Sequence, residues 1–242
     1  MEQQESKKKK KVNKAFWISL LVMVVCIPAT VILSYLFGDR NLYVASVIIM
    51  ILAMVPFFAN FEGKKPDARY LAVIAVLTTI AVVSRVAFIW APSFKPMAGI
   101  IIMTAIAFGP QSGFMCGALS MIISNIIFGQ GPWTPWQMFC YGLIGFIAGL
   151  LANARILSEK HVIRTSLISF ALVTILSSLV LDTCSLFLMS SSITWESAVT
   201  IYTAGIPFNM LNALASSLCI FLLLKPFTAI LNRLKTKYEL IY

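Results

Sequence analysis

The sequence predicts an all-α membrane protein: a six-helix core preceded by two extra transmembrane helices, with both termini cytoplasmic. Two observations carry this. Hydrophobic residues make up 60% of the 242-residue chain and charged residues only 12%, with a mean hydropathy of +0.90, so there is too little polar material to coat a soluble fold. Several apolar runs also reach the roughly 20 residues that a helix needs to cross a hydrocarbon core of about 30 Å.

The chain opens with a basic cytoplasmic tail, 1–14, whose lysines Lys7 to Lys11 anchor it inside. Two accessory spans are expected in 15–61: Ala15–Phe37, too long for a signal-peptide core, and Leu42–Phe58. The polar stretch Glu62–Asp67 is the expected boundary. Beyond it a larger, six-helix core is expected, 69–225, and then a cytoplasmic tail, 226–242. The core begins with a span from Arg69 to about Trp90 and a loop, Ala91–Pro96. Met97–Phe108 covers only about 18 Å as a helix and must break at Gly109-Pro110. Ser112–Phe128 resumes at nearly spanning length. The loop Gly129–Gln137 (GQGPWTPWQ) follows, then spans at Gln137–Ala154, Ser166–Met189 and Ala198–Leu224.

Charge decides the topology. With Met97–Phe128 folded as a hairpin, sixteen of the nineteen basic residues fall on the inner side, leaving Arg40, Arg85 and Lys95 elsewhere. A single broken helix there would move seven of them outside, against the positive-inside pattern. The net charge of +10 is thereby read as a membrane signature and not as a nucleic-acid surface.

Polar side chains within a bilayer are costly and default to functional candidates. At 1.5 Å per residue, Arg85 stands about 24 Å above Arg69, Asp182 about 27 Å above Arg164, and Asn125 about 21 Å from Gln111. Asn209 and Asn212 stand about 24 and 20 Å above Lys225. All five gather in the outer half, beside the tryptophan-rich loop. The functional reading is an outward pocket walled by Arg85, Lys95, Asn125, Gln130, Gln137, Asp182, Asn209 and Asn212 and roofed by Trp90, Phe94, Trp133 and Trp136. The structural reading is an Arg85–Asp182 ion pair with amide bonds between helices and an interfacial aromatic belt. Two small-residue stripes permit close helix approach: Ala68, Ala72, Ala75 and Thr79 at the inner surface, and Gly142, Gly145, Gly149 and Ala152 after the loop.

The five cysteines are dispersed through apolar segments and His161 has no partner at ligand spacing, so no metal is expected. No phosphate-binding loop, HExxH or GxSxG motif occurs. Binding and delivery are expected in place of catalysis. The rival classes are an intramembrane enzyme using Arg85 and Asp182, and a structural or assembly protein.

The stretch Arg85–Leu151, with GQGPWTPWQ at its centre, resembles the substrate-binding S components of energy-coupling factor (ECF) transporters, most closely the branch associated with cobalamin or its precursors. The resemblance covers about Arg69 to Leu224. It implies high-affinity capture of a vitamin at the outer face of a bacterial cell membrane, with no permanently bound cofactor. Delivery would use an ECF transmembrane coupling subunit and two ATPase subunits that consume ATP. Ala68 and Ala72 would match the contact with the coupling subunit, and Gly129 to Gln137 the loop that encloses the ligand. A different vitamin is the alternative. Under a corrinoid reading Cys140 is near enough to the loop to ligate cobalt, although a buried cysteine is the commoner role. The first two helices depart from the six-helix pattern of the family.

Overall fold

The computed structural model describes residues 42–63, 67–190 and 193–238, and every regular element among them is helical. The chain divides into two compact units between Pro66 and Asp67. Of the first unit one helix is described, α1 (Leu42–Gly63), which carries the apolar stretch Val47–Phe58. It runs through the expected Leu42–Phe58 span and one turn beyond it. The basic tail and the Ala15–Phe37 span lie outside the described residues.

The second unit holds α2 (Ala68–Ala87), α3 (Met97–Phe108), α4 (Pro110–Phe128), α5 (Thr134–Asn153), α6 (Val162–Ser177), a π-helical turn (Ser178–Asp182), α7 (Thr183–Met189) and α8 (Trp195–Tyr238). The α6–π–α7 run forms one apolar segment, Val162–Met189, and five segments in this unit are long and apolar enough to cross a membrane. Their outward side chains are greasy: Val76, Val83, Ile126, Leu167 and Leu222 are all exposed. Such a surface is soluble only in lipid, and the protein is an all-α membrane protein.

Each helix ends where local chemistry requires. The Asp67 carboxylate accepts from the Ala68 N–H at 2.7 Å and caps α2. Gly109, at φ 88°, reverses the chain between α3 and α4, a conformation that costs glycine nothing. Pro110 then opens α4, where its missing N–H is harmless. The same device shifts the start of α5. The sequence places it at Gln137, but Pro135 is accepted in the first turn and the helix starts at Thr134. The reading also misplaces three other ends. α2 stops at Ala87 and not near Trp90, because Phe88 leaves helical geometry. α6 starts at Val162, four residues early. α8 passes Leu224 and Pro226 unbroken and is about 66 Å long. It continues because Thr228 and Leu231, beyond the proline, are buried against the bundle.

α3 is the hub. Ten of its twelve residues are buried, so it is apolar on every side, as a helix enclosed by others must be. α4 and α5 flank it, touching backbone to backbone. A Cβ added at Gly117 would meet the Tyr141 carbonyl oxygen at 2.2 Å, and one at Gly149 would meet Pro110 Cα at 2.4 Å. The glycine stripe of α5 is therefore interior packing. The alanine stripe differs: Ala68, Ala72, Ala75 and Thr79 are all exposed.

The two ends of this unit differ in charge. At one end Tyr70 meets Ser112 and Phe108, Lys235 lies 5.1 Å from the Phe108 ring, and Arg164 bonds the Arg155 carbonyl. Eight of the ten basic residues between Asp67 and Tyr238 sit at that end. The other two, Arg85 and Lys95, sit at the opposite end.

Candidate functional site

Two polar clusters occupy the end that carries Arg85. The first joins α2, α4 and the start of α5. Arg85 Nη1 donates to Ser124 Oγ at 2.5 Å and to Asn125 Oδ1 at 2.8 Å, and lies 3.6 Å from Met121 Sδ. The Asn125 amide donates onward to Thr134 Oγ1 at 3.1 Å and Gln137 Oε1 at 2.7 Å. Thr134 in turn donates to Gln130 Oε1 at 3.0 Å, and Gln130 Nε2 donates to the Ile122 carbonyl at 2.8 Å. Gly129, at φ 102°, turns the chain out of α4 so that this loop folds back over it. Arg85 also lies over the Phe128 ring at 4.4 Å and Lys95 at 5.5 Å, each a cation–π contact.

Lys95 fastens the neighbouring loop by donating to the Phe88 and Ala91 carbonyls, the latter at 3.0 Å. Burial pushes its ammonium below the ordinary lysine range, and the positive Arg85 lowers it further. Phe88 bridges Phe94, at 5.5 Å, and Trp90, at 6.0 Å, leaving Trp90 largely exposed.

The second cluster joins the π-helical turn to α8. Ser178 Oγ and Asn209 Nδ2 both donate to Asp182 Oδ2 at 2.8 Å. The extra residue of a π turn rotates the side chains that follow it. Here Asp182 lies against Gly205, where an added Cβ would stand 2.4 Å from Oδ1. One helical turn further along α8, Asn212 Nδ2 donates to the Tyr141 hydroxyl at 2.9 Å.

Arg85, Asn125, Gln130 and Gln137 thus come together, as do Asp182 and Asn209. The Arg85–Asp182 ion pair does not form. Each takes neutral partners because Asn125 and Ser124 lie between α2 and α5, whereas Asp182 is turned toward α8. The tryptophans also part company. Trp133 is exposed, but Trp136 is buried within the first turn of α5, 6.0 Å from the Phe187 ring, so it is a wall and not part of a lid. Ser178, Thr134, Phe128 and Tyr141 were not picked out from sequence. Thr134 and Tyr141 carried a signal in their spacing from Gln137, three and four residues away on one helix face.

Several polar groups in these clusters keep bonding capacity in hand. Among the described residues, the side-chain hydrogen bonds of Arg85 all run from Nη1 and those of Asp182 all end on Oδ2, while Trp136 Nε1 and Asn212 Oδ1 are buried without a partner. Cys140 is buried and bonds the Leu176 carbonyl, the structural role. No group of metal-binding side chains occurs among the described residues.

A family model described as "ECF-type riboflavin transporter, S component" matches residues 67–229. The chain belongs to this family. The S component resemblance read from Arg85–Leu151 therefore holds, but the match does not extend to the cobalamin branch. S components are substrate-binding subunits that work with an ECF transmembrane and ATPase module on a vitamin-type ligand. This one is accordingly a transport protein and not an enzyme. No solved structure matches the chain.

Proposed function

We propose that this S component captures its vitamin at the end of the bundle bearing Arg85 and Asp182, and that this end faces outward. The observation that carries the reading is the set of unmatched polar groups there. Trp136 Nε1 offers a donor and Asn212 Oδ1 an acceptor, both buried without a partner; beside them Arg85 bonds through Nη1, leaving Nη2 and Nε to donate, and Asp182 bonds through Oδ2, leaving Oδ1 to accept. Leaving the two buried groups, Trp136 Nε1 and Asn212 Oδ1, unmet is costly. A ligand with alternating carbonyls and N–H or O–H groups would satisfy both sets, while Phe88, Trp90, Phe94 and Trp133 cover its apolar faces. Orientation follows from the charge asymmetry of the two ends, with the eight basic residues inside.

Two ligands answer this description. Riboflavin is favoured by the description of the family that matches across 67–229. Its flat ring suits aromatic contacts, and its imide edge and hydroxyls suit the donor and acceptor sets. A corrinoid is the second reading, favoured by the Gly129–Gln137 loop and a rim of exposed Trp90 and Trp133, with peripheral amides for the same polar groups. On either reading the exposed Ala68, Ala72 and Ala75 would dock the coupling subunit by close helix approach, and two ATPase subunits would drive delivery. The experiment is titration of the detergent-purified protein with riboflavin, cobalamin, cobinamide and unrelated vitamins. Tight binding of one of the first three names the substrate. Tight binding of an unrelated vitamin alone would reject both candidates, and silence from every vitamin would reject the capture site.

A further inference from the structure

At the opposite end of the bundle, a groove of about 730 Å³ lies between the start of α6 and the middle of α8, lined by Lys160, His161, Val162, Ile163, Arg164, Leu167, Ile168 and Lys225. Its charged residues are all basic and come from separate places: Lys160 from the α5–α6 loop, Arg164 from α6 and Lys225 from α8. Arg164 is held in place by donating to the Arg155 and Ile156 carbonyls, the latter at 2.7 Å. The ammonium groups of Lys160 and Lys225 donate to nothing among the described residues. One turn along the same groove the lining becomes apolar. Ile163 and Leu167 are about two-thirds exposed, at 67% and 65%, on a surface that faces lipid.

We propose that this groove holds an anionic phospholipid of the adjoining leaflet, its headgroup phosphate between Lys160, Arg164 and Lys225 and its acyl chain along Ile163, Leu167 and Ile168. A soluble anion would use the basic half alone and leave the apolar half idle. A zwitterionic lipid would match the apolar half but bring its own cation against three others. Only an anionic amphiphile complements both halves, and juxtamembrane basic groups favour it through the surface field. The groove is built wholly within residues 67–242 and is independent of which vitamin the protein carries.

The test is binding of dioctanoyl phosphatidylglycerol to the detergent-purified full chain, followed by microscale thermophoresis. Dioctanoyl phosphatidylcholine and inorganic phosphate serve as comparison probes. The expected order is phosphatidylglycerol well ahead of both. A Lys160→Gln/Lys225→Gln double variant should bind it about thirtyfold more weakly, while Lys237→Gln, a basic residue outside the groove, should be unchanged. Both sets of substitutions are at exposed positions, and thermal unfolding confirms that each variant is folded. Equal binding of the two lipids, competition by phosphate as effective as by lipid, or undiminished binding by the folded double variant would each overturn the proposal.

Discussion

Gly145→Ala is the sharpest probe of how this bundle is held together. The new Cβ would stand 2.2 Å from the Gly113 carbonyl oxygen and 2.4 Å from its carbon. Both are backbone atoms of α4 and cannot rotate aside. Ordinary contact begins near 3.4 Å, so α4 and α5 must separate by about an ångström. Overpacking of this kind costs about 3 kcal/mol, at the upper end of its usual range, because neither side is a flexible side chain. Alanine returns about 1 kcal/mol through its better helix propensity. The net loss, about 2 kcal/mol, corresponds to a melting temperature lower by about 4–8 °C in a chain of this size. The assay follows a thiol-reactive dye as heating exposes the buried Cys116, Cys140 and Cys184. Ala75→Leu, at an exposed position, should stay within about 0.5 kcal/mol of wild type. A Gly145→Ala protein that melts with wild type would refute the backbone-to-backbone account of α4 and α5.

Three further outcomes are expected. Asn125→Ala removes one bond accepted from Arg85 and two donated to Thr134 and Gln137; it should lower stability by about 2 kcal/mol and weaken vitamin binding, both read on the same purified sample. Gly205→Ala pushes a methyl group into the Asp182 carboxylate and should impair ligand binding by at least about tenfold, a loss of about 1.4 kcal/mol, in a titration; unaltered affinity would remove Asp182 from the site. Ala72→Leu fills the exposed small-residue stripe and should leave vitamin binding intact while reducing co-purification with the coupling subunit. If the complex forms as well as before, that stripe is not the docking face.

Much of the bundle was legible because membrane helices advertise themselves by length and hydropathy, and because Gly109-Pro110 admits no continuous helix. The height arithmetic put Arg85, Asn125, Asp182, Asn209 and Asn212 at one end of the bundle, since rise per residue is nearly constant along a helix. It could not assign partners across the bundle, because height says nothing about azimuth. Arg85 and Asp182 stand at similar levels, yet the π-helical turn at Ser178–Asp182 rotates the carboxylate toward α8, and no residue type marks that turn. The ends of α5 and α8 escaped for a related reason. A proline reads as a break, but Pro135 falls in a first turn where its absent N–H costs nothing. Beyond Pro226, the burial of Thr228 and Leu231 is decided by tertiary contacts that a linear pattern does not contain. Likewise, Gly142, Gly145 and Gly149 announce a close approach without naming α4 as the partner.

The central claim is that Arg85 and the polar groups at its end of the bundle receive a vitamin. Isothermal titration of the purified protein with riboflavin, cobalamin and cobinamide, run beside Arg85→Gln, tests it most directly. The account predicts tight binding of one of these ligands by wild type and a loss of at least about tenfold in Arg85→Gln, as for a charged hydrogen bond of about 1.5–3 kcal/mol. Equal affinity in a folded Arg85→Gln protein would contradict it.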